Sequence, residues 1–389
     1  MEFTVGRVNL KKAVNIVEKA LPTKDFGDAT SGILMDVKGD KLTLTANSVE
    51  CFISTQILLN EAAKSDGFCV PNGNIISKIV GNLGHLKKPV DIAYDDENNE
   101  LSLKCDSYNG TIAHYPPEGF ITIPDVADIK SKQSMSIPAR LIGEAVKKVA
   151  FARSNDQSYI QLTGVFIDQT ENNINLVATD SLRFSSIQYS SKVKDPKSVV
   201  VGYKYLDLLR RLLEDLEIDG SQILKLYVCD DKIYFIHEDT NTIIGLQIYG
   251  DKFIEGYQNF IIDSDSCKNL IRVNRESFLE MLDLATSHNN SIQDEIIFEF
   301  DGKKGYFKSS ESSSKLNAFD VPFDVAKKVS GEKFSVKLVP QFFYDVMNVL
   351  KDKEVTIGLV DSVEGPVAVY PVTEGSNISG EFVHVFSLT

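Results

Sequence analysis

The sequence predicts an α+β protein of three duplicated domains, each a pair of β-α-β-β-β units. Three observations support this: a strand-then-helix pattern recurs six times in 389 residues, its period is close to 65 residues, and alternating polar and apolar segments fill the intervals.

Each repeat opens on a short apolar strand followed by an amphipathic helix. The first runs from Phe3-Thr4-Val5 into Leu10, Val14 and Val17, the second from Phe68-Cys69-Val70 into Ile75, Ile79 and Leu83. The third joins Met135-Ser136-Ile137 to Leu141, Ala145 and Val149, and the fourth joins Val199-Val200-Val201 to Leu206, Leu209 and Leu212. In the fifth, Ile271-Arg272-Val273 precedes Phe278, Leu282 and Ala285; in the sixth, Val336-Lys337-Leu338 precedes Phe343, Val346 and Leu350. Spacings of three and four place these apolar residues on one helical face. Taking Val5, Val70, Ile137, Val201, Val273 and Leu338 as anchors gives separations of 65, 67, 64, 72 and 65 residues. Between them lie alternating segments such as Lys41-Leu42-Thr43-Leu44-Thr45 and Glu295-Ile296-Ile297-Phe298-Glu299-Phe300, flanked by turns such as Asn98-Asn99 and Asp301-Gly302. Six units pair into domains expected at 1–128, 129–262 and 263–389.

Composition bounds the chemistry. The chain has 43% apolar and 25% charged residues, close to a globular average, and no apolar run long enough to span a bilayer. Met1 to Leu10 alternates polar and apolar residues without a charged leader and apolar run, so a cytoplasmic, non-exported protein without membrane association is expected. The five cysteines (Cys51, Cys69, Cys105, Cys229 and Cys267) are scattered, which fits neither a disulfide framework nor a zinc site. No metal and no cofactor are expected. The net charge of -14 argues against a polyanionic partner unless basic residues are gathered locally.

Specific segments resemble the bacterial DNA polymerase III beta subunit, or sliding clamp, family along the full chain. Met1-Glu2-Phe3-Thr4-Val5 followed by Leu10 resembles the family's opening strand and helix. Leu176-Val177-Ala178-Thr179-Asp180-Ser181-Leu182-Arg183-Phe184 resembles its V-A-T-D-G-H-R-L segment. Leu359-Val360-Asp361-Ser362-Val363 resembles its T-D-S-V strand, and Phe334 to Leu350 the strand and helix before it. The resemblance implies a divergent member that forms a head-to-tail homodimeric ring, helices inside and sheets outside. Such a ring encircles duplex DNA without sequence specificity and serves as a processivity factor. A closed ring replaces affinity by topology, so phosphate contacts can stay weak and no catalytic residue is needed.

Under this reading the helices facing DNA are more basic than the rest. Lys11, Lys12 and Lys19 give the first helix +2 against Glu18, Lys78 gives the second +1, and Arg140, Lys147, Lys148 and Arg153 give the third +3 against Glu144. In the fourth, Lys204, Arg210 and Arg211 balance Asp207, Glu214 and Asp215. The fifth is acidic, with Arg275 against Glu276, Glu280 and Asp283. The six helices total +4, which leaves -18 elsewhere, an arrangement that steers DNA toward the helices. Taken without the fold, the same lysines fit solvated helix faces.

The resemblance also implies an apolar cleft that receives short peptides from the replicative polymerase, clamp loader and repair proteins. Carried over residue by residue, it comprises Leu162, Thr179, Ser181, Leu182, Arg183 and Phe184 of the second domain. From the third come Ile292, Phe342, Val363, Val383, Val385, Phe386 and Leu388. Apolar walls with a few polar groups suit a peptide anchor; for Leu162 and Val363 a place in the core fits equally. The chain departs from the family at Ser181-Leu182, which replaces Gly-His, and in its tail, which lacks the Met-Pro-Met-Arg-Leu character. Gly250 to Tyr257 aligns with the family's domain-linking element in two registers and yields no assigned pocket residue. Thr286 and Ser287 fall where the family's subunit contact is commonly apolar.

No phosphate loop, HExxH or GxSxG occurs, and the five histidines lie far apart in sequence. Asp180 and Asp361, each beside a hydroxyl residue, suit turn or strand-end hydrogen bonding better than general-base work. The competing reading is a repeat-built scaffold or accessory protein that binds other proteins without encircling DNA.

Overall fold

The computed structural model describes all residues except 49, 96, 99, 121–123, 230, 251, 290, 310–317, 362–364, 373–379 and 388–389. Six β-α-β-β-β repeats follow one another. The first is β1 (Glu2–Val5), α1 (Arg7–Val17), β2 (Leu34–Lys38), β3 (Lys41–Asn47) and β4 (Cys51–Leu58). The second is β5 (Gly67–Cys69), α2 (Gly73–Asn82), β6 (Val90–Asp95), β7 (Glu100–Cys105) and β8 (Tyr108–Ala113). A short α3 (Val126–Ser131) leads to the third, β9 (Ser134–Pro138), α4 (Ala139–Glu144), β10 (Gly164–Gln169), β11 (Asn173–Thr179) and β12 (Arg183–Ser190). The fourth is β13 (Ser198–Gly202), α5 (Tyr203–Asp215), β14 (Ile223–Val228), β15 (Lys232–His237) and β16 (Thr242–Tyr249). The fifth holds β17 (Asn269–Asn274), α6 (Arg275–Thr286), β18 (Ile296–Phe300), β19 (Gly305–Ser309), β20 (Asp320–Phe323) and an added β21 (Val325–Ser330). The sixth is β22 (Phe334–Leu338), α7 (Pro340–Val349), β23 (Glu354–Leu359), β24 (Val367–Pro371) and β25 (Gly380–Phe386).

Local chemistry sets these boundaries. Asn72 and Asn274 cap α2 and α6, accepting from the backbone N–H of Ile75 (3.0 Å) and Ser277 (3.1 Å), and Pro340 occupies the first turn of α7, where its missing N–H costs nothing. Asp106, with φ of 50°, supplies the left-handed residue of the two-residue turn between β7 and β8. Helix α4 runs on as a π turn over Ala145–Val149 and a 3-10 turn over Ala150–Ala152.

The chain forms two compact units. The first comprises Met1–Arg140 and Asp207–Ile248, the second Leu141–Leu206 and Tyr249–Thr389. The span 129–262 is therefore shared, because strands pair across repeats. Among the described residues, the first unit holds an antiparallel sheet of eight strands, ordered β5-β2-β3-β4-β16-β15-β14-β9, and one of four, β1-β6-β7-β8. The second holds a long sheet ordered β13-β10-β11-β12-β25-β24-β23-β17-β21 and a four-stranded one, β20-β19-β18-β22. Helices bury one apolar face on these sheets: α1 contributes Leu10, Ala13, Val14 and Val17, all almost fully buried. In the second unit Phe278 of α6 sits edge-on to Phe307, Phe323 and Phe343 at 5.0–5.2 Å, a geometry that favours the ring quadrupoles. Among the described residues no helix is long and apolar enough to cross a membrane.

Candidate functional site

The second unit's long sheet is joined at its middle by β12 and β25, which pair antiparallel from Arg183↔Phe386 to Tyr189↔Gly380. Side chains alternate across a sheet, so this register sorts the expected pocket residues onto two faces. Thr179, Phe184, Val383 and Val385 share one face. Phe184, Val383 and Val385 join Leu162, Val177, Val200, Ala368, Phe253 and Tyr257 in one buried cluster. Arg183 and Phe386 point to the other face, toward α7, where Phe386 lies 5.5 Å from Phe342 and the Arg183 guanidinium sits 5.7 Å from the Phe342 ring. Ile292 is exposed, tied to α7 through its carbonyl, which accepts from Gln341 N (3.3 Å). Val363 and Leu388 lie outside the described residues.

The turn between β11 and β12 is held from several directions. Asp180 Oδ1 accepts from the backbone of Leu182 (3.0 Å) and Arg183 (2.9 Å), Arg183 Nε donates to Asp180 Oδ2 (2.9 Å), and Thr179 Oγ1 donates to Arg183 O (2.6 Å). Asp180 therefore performs the turn role expected of it. Arg183 also forms an ion pair with Asp345 of α7. These bonds hold Ser181 at φ 77°, a left-handed conformation that favours glycine, and lift Leu182 into solvent with 59% of its surface exposed. Phe260, 51% exposed and 6.1 Å from the Phe184 ring, flanks the same cluster. The result is a buried aliphatic and aromatic floor with exposed apolar residues at its margin, which suits an apolar side chain arriving from a partner.

The residues left unassigned in sequence supply part of this floor. Phe253 stacks on Phe166 at 4.7 Å, and Tyr257 lies edge-on to Phe166 at 5.6 Å. Tyr257 OH donates to buried Asp168 Oδ2 (2.6 Å) and accepts from Asn175 Nδ2 (3.0 Å). Burial, then the Asp168 bond, raises the Tyr257 pKa, so this hydroxyl remains a donor. The legible signal was the aromatic spacing of four and three at Phe253, Tyr257 and Phe260 in a segment without strand alternation.

On the other face of β25, His384 is fully buried beside Phe151 (4.9 Å) and Phe386, and neither ring nitrogen has a hydrogen-bond partner among the described residues. Burial, aided by the nearby Arg183 charge, pushes its pKa down to about 3.

The expected DNA-facing cations are only partly available. In the first unit Lys11 Nζ donates to Gly81 O (3.1 Å), Lys12 pairs with Glu217 (3.4 Å) and Lys19 with Asp215. Arg210 bridges Asp207 (2.9 Å) and Glu214 (2.8 Å), and Arg211 lies 3.2 Å from Asp207. Arg140 is half-buried. In the second unit Lys148 pairs with Glu144 (3.0 Å), Lys204 lies 4.8 Å from the Tyr205 ring, and Arg153 stacks 3.9 Å over the Tyr203 ring. Lys78 and Lys147 are exposed and make no ion pair with a described residue. Among the described residues no group of three or more His, Cys, Asp or Glu could hold a metal.

Comparison with known proteins gives a consistent result. Residues 1–124 match the family model for the N-terminal domain of the DNA polymerase III beta subunit, and residues 136–247 match that for its central domain. The chain is 21% identical to the beta sliding clamp of Bacillus subtilis (strain 168) over 379 residues, covering 93% of this chain and 94% of that one. It is 21% identical to the beta sliding clamp of Streptococcus pneumoniae (strain R6) over 373 residues, 93% of each. The solved beta subunit from DNA polymerase of Streptococcus pyogenes superposes over the full length of both chains with a TM-score of 0.85 at 16% identity, which establishes a common fold.

Proposed function

Since the chain belongs to the DNA polymerase III beta-subunit family, we propose that it acts as a non-catalytic sliding clamp, a processivity factor whose head-to-tail homodimer encircles duplex DNA without sequence specificity. Its domains span 1–128, 129–262 and 263–389, and it works in the cytoplasm.

The observation that carries this reading is a pair of unfinished sheets. Each unit contains one long sheet and one sheet of only four strands, with edge strands β1 and β8 in the first unit and β20 and β22 in the second; the β1 edge is partly covered by its bonds to 64–65. Ala113 O accepts from Asn72 N (3.4 Å), so it points away from β7, and by alternation Asn109 and Thr111 turn their backbone N–H and C=O outward too. The Ser309 N to Phe319 O bond (3.1 Å) fixes the phase of β20, whose Asp320 and Pro322 face outward. Outward Pro322 leaves the ladder with β19 intact and removes one outward donor, so a strand added to this edge would pair through the N–H of Asp320 and the outward carbonyls. By contrast, the β21 edge is blunted by exposed Lys327 and Lys328 and by register shifts against β17, which discourage pairing. β8 carries neither lysine nor proline. Pairing β8 of one copy with β20 of another would complete an eight-stranded sheet at each of two contacts.

The apolar floor and margin at Leu162, Thr179, Leu182, Phe184, Val383 and Val385 then serve as the peptide-docking site for polymerase, loader and repair proteins. Helix cations, several already paired with acidic neighbours, provide weak phosphate contact compatible with sliding. The test is the mass in solution together with retention on circular and linearised duplex DNA. A two-chain mass and retention on circles alone are expected; equal retention on both forms, or no salt-dependent association with either, rejects the clamp in favour of a protein-binding scaffold.

A further inference from the structure

The segment from Tyr249 to Ile262 crosses the apolar floor of the second unit, and beyond the end of β16 at Tyr249 its described residues join no sheet. Nevertheless it delivers Phe253 and Tyr257 to the buried cluster and places half-exposed Phe260 against Phe184. What fixes it is polar and buried. Asp168 on β10, mostly shielded from water, accepts from Tyr257 OH (2.6 Å) through Oδ2 and from Ser198 Oγ (2.6 Å) through Oδ1, while Asn175 on β11 donates to the tyrosine oxygen (3.0 Å). A hydrogen bond to a buried carboxylate is stronger than a neutral one and directional. Together with the packing of Phe253 and Tyr257 on Phe166, it fixes the height of the segment above the sheet.

We propose that Tyr257 and Asp168 form a clamp that positions the wall of the peptide-docking floor, making Tyr257 a positioning residue for apolar peptide partners. This rests on the docking-site reading given above. In that reading the partner meets exposed Leu182 and Phe260 above buried Phe184, and the clamp acts on it through the segment.

The test uses the full chain and a fluorescein-labelled octapeptide carrying two bulky apolar side chains among polar residues, with affinity read by anisotropy. Tyr257→Phe is expected to weaken binding about tenfold while two-chain mass and retention on circular DNA stay unchanged; Asp168→Asn behaves similarly, and the double variant is no weaker than the worse single one. Ser198→Ala removes the other bond to the same carboxylate and is expected to bind as the wild type. Hydrogen exchange in Tyr257→Phe should quicken at 253–260 and not in β10 or β11. Wild-type affinity in Tyr257→Phe, unchanged exchange at 253–260, or an equal loss in Ser198→Ala overturns the clamp. Failure of the unaltered chain to bind the octapeptide rejects the docking site and the clamp with it.

Discussion

The two units contain the same junction built twice with different residues. In the first, β4 pairs with β16; in the second, β12 pairs with β25, and the registers correspond residue by residue. Glu50 O accepts from Gln247 N (3.0 Å) where Leu182 O accepts from Ser387 N (2.9 Å). The row across the first junction reads Phe52, Gly245, Tyr234, Tyr227; across the second it reads Phe184, Val385, Ala368, Gly358. Tyr234 lies so close over Gly245 that an added Cβ would sit 2.4 Å from its ring. The first junction thus fills itself with its own tyrosines, joined by Ile243 and by Ile129 of α3, with Cys229 and Ile236 packed against them. The second has small residues there, and aromatic rings arrive from a segment with no ladder of its own. One sheet fold yields a core closed by its own strands in one place and a core closed by rings from a following segment in the other. Three positions decide it: the lip (Glu50 or Leu182), the filler (Tyr234 or Ala368) and the inward strand residue (Ile244 or His384).

Exchanging those residues breaks the comparison in graded steps. The largest effect is expected from Tyr234→Ala, which empties the closed junction; it should cost about 3–5 kcal/mol in chemical denaturation and leave octapeptide affinity untouched. Next, Ala368→Tyr imports the filler into the second unit and should reduce octapeptide affinity about 100-fold, roughly 2.7 kcal/mol, by isothermal titration; retained affinity would show that the small residue does not make the floor. His384→Ile removes an acid liability that the first unit lacks. Because the folded-state pKa of His384 lies near 3, below the ordinary 6.5, the unfolded chain takes the proton first. Stability is therefore full above 6.5 and declines as pH falls toward 3, by roughly 2 kcal/mol at pH 5. The variant should flatten that limb in urea titrations at pH 5 and 7.5. Leu182→Glu places the first unit's charged lip on the second and should weaken the octapeptide about tenfold without lowering the melting temperature. The smallest change is expected from Lys78→Ala and Lys147→Ala, each lowering the salt slope of DNA retention by about 0.9, the increment for one phosphate no longer neutralised.

Much of this architecture was legible in the sequence. Val5, Ile137, Val201, Val273 and Leu338 lie in the first strand of their repeats, and Val70 immediately follows it, because a short apolar strand before a 3.6-residue periodicity is a local signal. Strand partners are not local, so the pairing of β4 with β16 and β12 with β25 could not be read from alternation, which specifies faces and not neighbours. The site shows the same limit. Arg183 and Phe184 entered it as one patch, yet the two-residue period of a strand already implies opposite faces, and the structure sends Arg183 to Asp345 and Phe184 to the apolar floor. Lys12 and Lys19 read as free cations because their acidic partners, Glu217 and Asp215, lie some 200 residues away in sequence. Tyr257 escaped assignment since its segment aligns in two registers, and the partner that fixes it, Asp168, lies 89 residues away in sequence.

The two four-stranded sheets end on different strands, so the β8-to-β20 contact proposed above would join unlike edges. A β8-to-β20 contact is heterologous: every added copy satisfies one edge and offers another, so growth stops only when the last copy's free edge reaches the first's. Two copies suffice only where the turn per contact is half a revolution. A substitution that alters this angle without weakening the contact would leave the protein well folded and tightly associated, but polymerising into open filaments whose length rises with concentration.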